Sequence, residues 1–404
     1  MCGIAGYTTF DATPIEPAIL HRMVAALRHR GPDGEGIHVS HNTGLAHRRL
    51  AIIDLAGGVQ PMANIGAKLW ITFNGEIYNY IELQHDLQQR GHLFHTNSDT
   101  ETILNAYAHY GSDCVEVLRG MFAFALYDER ERRLLLARDR FGIKPLYYFC
   151  DSRVLVFASE LKALLHHPAI QREIDPEAVS DYLTYLYVPS PSSILRGIRK
   201  LPPATVLEVR DGKVHERRYW TPSFEPSTDS QDESEWIERL RHSLGESVRL
   251  HMRSDVPYGA LLSGGLDSST VVALMAQQST QPVSTYTVGF EEDDFDERPD
   301  ARLVACHFGT RHTEVLLRHQ GLSLLPDLIE EFDEPFADPS ALPCLQIAQV
   351  VARDLKVCLT GDGGDEAFAG YDAYRTALKL RRLDGIPRAV RRALLTPLLA
   401  VYPR

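Results

Sequence analysis

The chain has 404 residues, too many for one ordinary hydrophobic core, so two or more domains are expected. Its 44% hydrophobic and 24% charged residues fit a soluble globular protein, and no run approaches the roughly 18 apolar residues of a membrane span. Lys plus Arg number 42 against 54 Asp plus Glu, a formal charge of −12, which argues against a nucleic-acid partner.

The first ten residues, MCGIAGYTTF, lack the basic and apolar regions of a signal peptide. The six cysteines, at 2, 114, 150, 306, 344 and 358, form no CxxC pair. A zinc ribbon or a disulfide framework is therefore not expected, and the reading is a reduced, cytoplasmic protein. Residues 1 to about 215 read as strand-rich, with short apolar segments at Leu69–Phe73, Phe122–Tyr127, Leu134–Ala137, Tyr147–Phe149 and Val154–Ala158. Helical periodicity intervenes at Ile15–Leu27, Tyr80–Gln89 and Glu101–Tyr110. Asp211-Gly212 between Thr205–Val209 and Lys213–Tyr219 is a hairpin signal. Thr221–Glu233, rich in Pro, Ser and acids, reads as a linker.

Beyond it, strands and helices alternate. Helices are expected at Trp236–Met252, Ser268–Gln278, Arg298–Phe308, Leu322–Phe332 and Leu342–Arg353. Strands are expected at Tyr258–Leu262, Pro282–Phe290, Thr313–Leu317 and Lys356–Thr360. This rhythm predicts a parallel sheet covered by helices. The chain stops on the apolar stretch Leu394–Arg404, where truncation inside a domain is the expectation.

Cys2 follows Met1 directly. A small second residue permits removal of the initiator Met, which would put a thiol and a free α-amine on one residue. With a reference pKa near 8, the amine can take the thiol's proton close to neutral pH. A nucleophile attacking an amide needs oxyanion donors, which the Asn74 side chain and the Gly75 backbone N–H can supply. A free amino acid substrate also needs a cation for its carboxylate and an anion for its ammonium. Arg49, at the start of an expected strand His47–Asp54, and Asp99, before a helix, carry those charges.

Several segments together make the first half distinctive: Met1–Gly6, Arg30-Gly31-Pro32-Asp33, Ala46–Leu50, Phe73–Asn79, Asp99-Thr100-Glu101 and Arg138–Tyr147. Residues 1–215 resemble a class II glutamine amidotransferase domain, one of the N-terminal-nucleophile (Ntn) hydrolases. The resemblance implies a four-layer αββα sandwich that hydrolyses glutamine to glutamate and ammonia. It gives the glutamine contacts to Arg49, Leu50, Ala51, Ile52, Ile53, Asn74, Gly75, Glu76 and Asp99. Arg138–Tyr148 is left with two readings, a structural loop or a seal between domains.

In the second half, Leu261–Ser269 (LLSGGLDSS) follows a strand and opens a helix, a setting suited to an anion. Asp267 is a poor partner for bare phosphate and suits Mg²⁺ bound to phosphate. A second acidic turn, Thr360–Glu366 (TGDGGDE), follows the strand near Lys356–Leu359 and should emerge at the same carboxyl edge. There Asp365 can join Asp267 on Mg²⁺. Ser263–Ser269 resembles the pyrophosphate loop of the ATP pyrophosphatases.

Both halves together resemble the glutamine-hydrolysing asparagine synthetase family over essentially the whole chain. The resemblance implies an α/β two-domain protein: an αββα glutaminase at 1–215, a linker at 221–233, and a parallel-sheet ATP-pyrophosphatase domain at 234–404, incomplete at its C-terminus. The implied substrates are glutamine, ATP with Mg²⁺, and a carboxylate acceptor, aspartate by default, with another carboxylate such as an exopolysaccharide precursor, or a truncated protein with glutaminase activity only, as the alternatives. A homodimer is compatible with it. Leu262 and Val288 would flank the adenosine, Thr360 and Gly361 contact the nucleotide, and Ser263, Gly264, Gly265, Asp267 and Ser268 bind the pyrophosphate. Phe332–Pro335 and Asp338–Pro343 would shape the acceptor pocket. Asp362, given a catalytic role, stands where the family has Glu, and a further catalytic lysine is expected beyond Arg404.

Overall fold

Strand Gly120–Asp128 shows how this sequence builds its core. Phe122, Phe124 and Leu126 point to one hydrophobic cluster, while Ala123, Ala125 and Tyr127 point to another. Side chains alternate along a strand, so a strand apolar on every residue belongs to a sheet covered on both faces. Val154–Ala158 behaves alike, with Leu155 and Phe157 on one side and Val154, Val156 and Ala158 on the other.

The computed structural model of the chain describes residues 1–11, 13–66, 68–210, 212–224, 232–289, 296–316, 321–381 and 385–393. The fold divides into two compact units, Met1–Tyr258 with Leu317–Val357, and Gly259–Leu316 with Cys358–Arg404.

The first unit contains two six-stranded antiparallel sheets. One runs Ile198–Lys200, Tyr147–Cys150, Val154–Ala158, Gly3–Thr9, Thr43–Arg49, Gly34–Ser40. The other runs Lys213–Arg218, Thr205–Arg210, Arg133–Arg138, Gly120–Asp128, Leu69–Ile77, Met62–Ala63. Ile4, Leu45, Tyr127, Leu136 and Phe157 fill the space between the sheets. Helix Pro17–Ala25 covers the outer face of the first sheet through Leu20, Met23 and Val24. Helices Tyr80–Gln89 and Asp99–Tyr110 cover the second through Leu83, Leu87, Ile103 and Tyr107. The result is the expected αββα sandwich.

Most expected element ends move by one to three residues, and two shifts change the site. The strand containing Arg48 and Arg49 ends at Arg49 rather than starting there. The guanidinium of Arg49 instead donates to the carbonyls of Ile53, Asp54 and Leu55, which folds the following segment into a loop. The strand expected at Leu69–Phe73 continues to Ile77, because Asn74, Gly75 and Glu76 stay in register with Ala123, Phe122 and Met121. The hairpin pairs Thr205–Arg210 with Lys213–Arg218, though Asp211 itself lies outside the described residues. So do Phe290, Leu317, linker residues 225–231 and the stretch 394–404.

In the second unit, Tyr258–Leu261, Ser284–Gly289 and Arg311–Leu316 pair in parallel, joined through helices Leu266–Gln278 and Arg298–Phe308. Val357–Leu359 adds on the other side of Tyr258–Leu261, giving a four-stranded sheet. Chain direction across the sheet therefore reverses beside Tyr258–Leu261. Open α/β sheets bind ligands at such a switch point, at the carboxyl ends of the strands. The loops leaving there are Leu262–Gly265 and Thr360–Gly363.

Buried His47 gives the first unit a pH signature. Its Nδ1 lies 3.0 Å from Thr72 Oγ1, and its Nε2 has no partner among the described residues. Burial, with Arg49 assisting, lowers its pKa to about 3. Below the unfolded value near 6.5 the unfolded chain binds a proton that the folded chain refuses, so stability falls as pH falls between about 6.5 and 3. At pH 5 the loss reaches about 2 kcal/mol. We expect His47→Gln to remove this component, read as a flatter dependence of the urea midpoint on pH than in the parent.

Candidate functional site

Cys2 immediately precedes the central strand Gly3–Thr9, and the chain pins it from two sides. Arg30 Nε donates to its carbonyl oxygen at 2.8 Å, and the Leu50 amide approaches its Sγ at 3.3 Å. Arg30 is itself held by buried Glu160, with Nη1 2.7 Å from Oε1. His29 lies 2.9 Å from the other Glu160 oxygen. Burial would raise the Glu160 pKa, yet His29 and Arg30 bring it down to about 2. Asp33, from the same Arg-Gly-Pro-Asp turn, accepts the Ala51 amide at 2.8 Å and so fixes the loop after Arg49.

Burial lifts the Cys2 thiol above the ordinary cysteine range, although the Leu50 hydrogen bond and the amino terminus oppose this. Cys2 therefore rests as a thiol. The α-amine of Met1, next to it in the chain, is lowered to about 6, mainly by burial, with Arg30 and Lys144 adding to the shift. The Met1 amine is therefore unprotonated near pH 7.

Asn74 is 1% exposed, and neither its amide nitrogen nor its amide oxygen has a partner among the described residues. A buried amide left unpaired costs free energy, so its groups are suited to a ligand. Gly75 must be glycine. A Cβ there would fall 2.1 Å from the Met121 carbonyl oxygen and 2.7 Å from the Phe122 Cα, both backbone atoms. Gly75→Ala should force the two strands apart and cost roughly 3 kcal/mol, the upper range for overpacking. A urea midpoint equal to the parent's would show that the strands yield cheaply.

Asp99 opens a 12-residue helix and accepts the Ile77 amide at 3.1 Å. Burial pushes both Asp99 and Glu76 above the usual carboxylate range, and the charge of Asp99 pushes Glu76 further. Arg49 pulls Asp99 the other way. The charges of Glu76 and Asp99 both act on the Cys2 thiol. The structure thus brings Cys2, Leu50, Glu76 and Asp99 into one electrostatic neighbourhood. Arg49, whose guanidinium binds carbonyls 53–55, shapes its wall.

The segment Arg138–Tyr147 is a built loop. Arg138 donates to the carbonyls of Gly142, Lys144 and Leu201. Buried Asp139 accepts the amides of Phe122, Phe141, Ile143 and Lys144. Glu160, Asp139 and Lys144 were not among the sequence-derived site residues. Asp139 could have been found from its local turn signature.

Also within the first unit, Glu334 Oε2 pairs with Lys200 at 2.7 Å and accepts from Tyr147 at 3.0 Å, while Oε1 accepts the Ile194 amide at 2.8 Å. Asp333 accepts the Lys162 amide at 3.2 Å. These two acids of the Phe-Asp-Glu-Pro segment therefore find their partners on residues 147–200.

In the second unit, the Ser263 and Ser268 hydroxyls lie 2.8 Å apart, and Ser268 Oγ accepts the Ser263 amide at 3.2 Å. Gly265 precedes the helix without a side-chain cap, and Ser269 Oγ is buried with no partner among the described residues. Gly264, with φ +82, adopts the left-handed conformation that favours glycine. Leu262 continues the strand by donating to Tyr286, and its carbonyl accepts from Thr287, the residue before Val288. The two Gly-rich loops touch. A Cβ on Gly364 would fall 2.3 Å from Asp267 Oδ2, and one on Gly361 2.8 Å from the Ser268 amide nitrogen. Asp365 turns its carboxylate toward Gly370, and the Asp362 amide donates to Thr360 Oγ1.

Among the described residues no three His, Cys, Asp or Glu side chains gather as a metal cage. Mg²⁺ carried by a nucleotide needs only one or two carboxylates beside phosphate oxygens and water, and Asp267 at this loop fits that demand. No described helix is long and apolar enough to cross a membrane.

Comparison with known proteins agrees with this geometry. A family model described as glutamine amidotransferase domain matches residues 1–220, so the first unit carries a domain of that class. A second, described as asparagine synthase, matches residues 239–402. Glutamine-hydrolysing asparagine synthetase 1 of Bacillus subtilis is 38% identical over 98% of this chain and 63% of its own length. Glutamine-hydrolysing asparagine synthetase B of Escherichia coli K12 is 34% identical over 95% of this chain and 67% of its own. The chain belongs to the glutamine-hydrolysing asparagine synthetase family, and it spans about two thirds of the length of these relatives.

Proposed function

We propose that this chain carries the glutaminase and nucleotide-binding sites of an ATP-dependent amidotransferase ligase. Residues 1–215 release ammonia from glutamine, and residues 234–404 activate a carboxylate, aspartate by default, to give asparagine, AMP and pyrophosphate. The observation that carries the reading is the placement of Cys2 at the start of the central strand, its carbonyl held by Arg30 and its Sγ met by the Leu50 amide.

In this reading Cys2 Sγ attacks the side-chain carbonyl carbon of glutamine, and the thiol proton passes to the amine. Asn74 Nδ2 and the Gly75 N–H stabilise the oxyanion. Ammonia leaves with a returned proton, and water hydrolyses the thioester to glutamate. Arg49 meets the substrate carboxylate with the N–H donors that its bonds to carbonyls 53–55 leave over, and Asp99 and Glu76 meet its ammonium, while Leu50 to Ile53 form the wall.

At the second site, Ser263, Gly264, Gly265 and Ser268 hold the pyrophosphate of ATP, with Leu262, Val288, Thr360 and Gly361 along the nucleotide. Asp267 and Asp365 would hold Mg²⁺, which neutralises phosphate charge when bound. The acceptor carboxylate displaces pyrophosphate, and ammonia then displaces AMP. Asp362 sits in the second loop as the family's acidic residue, shorter by one methylene.

The test is incubation of the full-length gene product with glutamine, Mg-ATP and a panel of carboxylic acids, followed by mass spectrometry. Asparagine, AMP and pyrophosphate in equal amounts are expected with aspartate. Amidation of another acid in preference would replace aspartate as acceptor, and no release of glutamate would remove the glutaminase.

A further inference from the structure

Lys144 is a buried cation that the reaction above does not use. Its side chain is 4% exposed, and its Nζ lies 2.8 Å from the thioether sulfur of Met1. Among the described residues it has no carboxylate at ion-pair distance. A thioether is a weak acceptor, so this ammonium has been taken out of water for little return. The loop that delivers it is fixed by the Arg138 and Asp139 hydrogen bonds, so the position is built.

We propose that Lys144 is a positioning residue for glutamine hydrolysis: once Met1 is removed, its ammonium faces the Cys2 α-amine and keeps that amine in its unprotonated, proton-accepting form. This rests on Cys2 being the nucleophile.

Removal of Met1 takes away the thioether and leaves the ammonium beside the new terminus. An ammonium only donates, so the groups that satisfy it there are a neutral amine, a thiolate or a carboxylate. A protonated amine would repel it. The other charges that face the chain terminus while Met1 is in place are Arg30, of the same sign, and the Cys2 thiol and Glu76, of opposite sign when ionised. Glu76 in turn faces Asp99 and Asp255, and Lys144 faces Asp139. Burial lowers Lys144 itself to about 8, so it remains charged through the acid limb of a neutral-pH profile.

Transfer of the thiol proton to the amine creates one negative and one positive charge side by side. Their interactions with Lys144 largely cancel, so the cation resists protonation from solvent without opposing the transfer within the pair. Two unit charges a few ångströms apart at a partly screened site shift a pKa by about one unit or more.

The test compares the whole chain with K144M, K144Q and K144R, after intact-mass confirmation that Met1 is removed and a thermal melt to confirm folding. Met keeps the apolar stem without the charge. kcat/KM for glutamine hydrolysis is measured from pH 5.5 to 9, and the rate of Cys2 alkylation by iodoacetamide over the same range without substrate. In K144M and K144Q the acid limb should move up by about one pH unit, a loss of roughly fivefold at pH 6 that approaches tenfold at more acid pH, with little change at pH 8.5. The alkylation curve should move with it, and K144R should restore the parent limb. A neutral variant that loses activity equally at all pH values, or that superimposes on the parent, overturns the proposal. If neither neutral variant folds, Lys144 is a structural cation and the proposal also falls. Hydrolysis surviving in Cys2→Ala would instead overturn the nucleophile reading beneath it.

Discussion

Cys2→Ala should lower glutamine-dependent ammonia release by at least roughly a thousandfold, the scale of losing an enzyme nucleophile. The thiol is the atom the fold works to place. Arg30 fixes its carbonyl, the Leu50 amide fixes its sulfur, and Glu160 fixes Arg30 from residue 160. Alanine removes the sulfur while leaving the backbone bonds, so the variant should fold with the parent's melting profile. Ammonium chloride supplied in place of glutamine should support product formation at the parent rate in the full-length gene product, because that route bypasses the thiol. Intact-mass analysis of the parent should show loss of Met1. Hydrolysis persisting in Cys2→Ala would sink the assignment. Loss of both the glutamine and the ammonia routes would instead indicate a folding defect, which the melt reports.

How much of this was legible in the sequence follows from where the partners lie. The helices Tyr80–Gln89 and Arg298–Phe308 were readable to the residue, because amphipathic spacing and the residues at their ends are local signals. The central strands Gly3–Thr9 and Thr43–Arg49 were not. Gly6 sits in the first because a Cβ would fall 2.4 Å from the Gly44 carbonyl, and glycine in such a place reads locally as a turn. The loop after Arg49 was read as strand because Leu50–Ile53 is apolar. The guanidinium capturing three carbonyls overrides that propensity. Cys2, Asn74, Gly75 and Asp99 were visible through their motifs. Glu160 stands in no comparable motif and acts on Arg30 from 130 positions away, a pairing only the folded sheet creates.

Asp267→Asn and Asp365→Asn should each slow ATP–pyrophosphate exchange by roughly tenfold to a hundredfold, the range for losing a charged contact. The argument starts from topology. Tyr258–Leu261 and Val357–Leu359 are neighbours in one sheet, and the loops that follow them converge at the switch point. Asp267 packs against Gly364, so closely that a Cβ at 364 would fall 2.3 Å from its carboxylate. Asp365 is the next residue along, its carboxylate turned toward Gly370 in this structure, so sharing a cation with Asp267 would require that side chain to swing. A polyanionic nucleotide brought to this place would be repelled by two carboxylates unless a divalent cation lay between them. Mg²⁺ accepts one or two carboxylates and keeps phosphate oxygens and waters for the rest. Asparagine keeps the shape of each side chain and removes the charge, so the Mg²⁺ concentration for half-maximal exchange should rise along with the loss of rate. Glutamine hydrolysis at Cys2 should remain at the parent level, since neither residue belongs to the first unit. The measurement belongs on the full-length gene product. Exchange at the parent rate and the parent Mg²⁺ dependence in both variants would take the metal away from these aspartates and require another reading of the second Gly-rich loop.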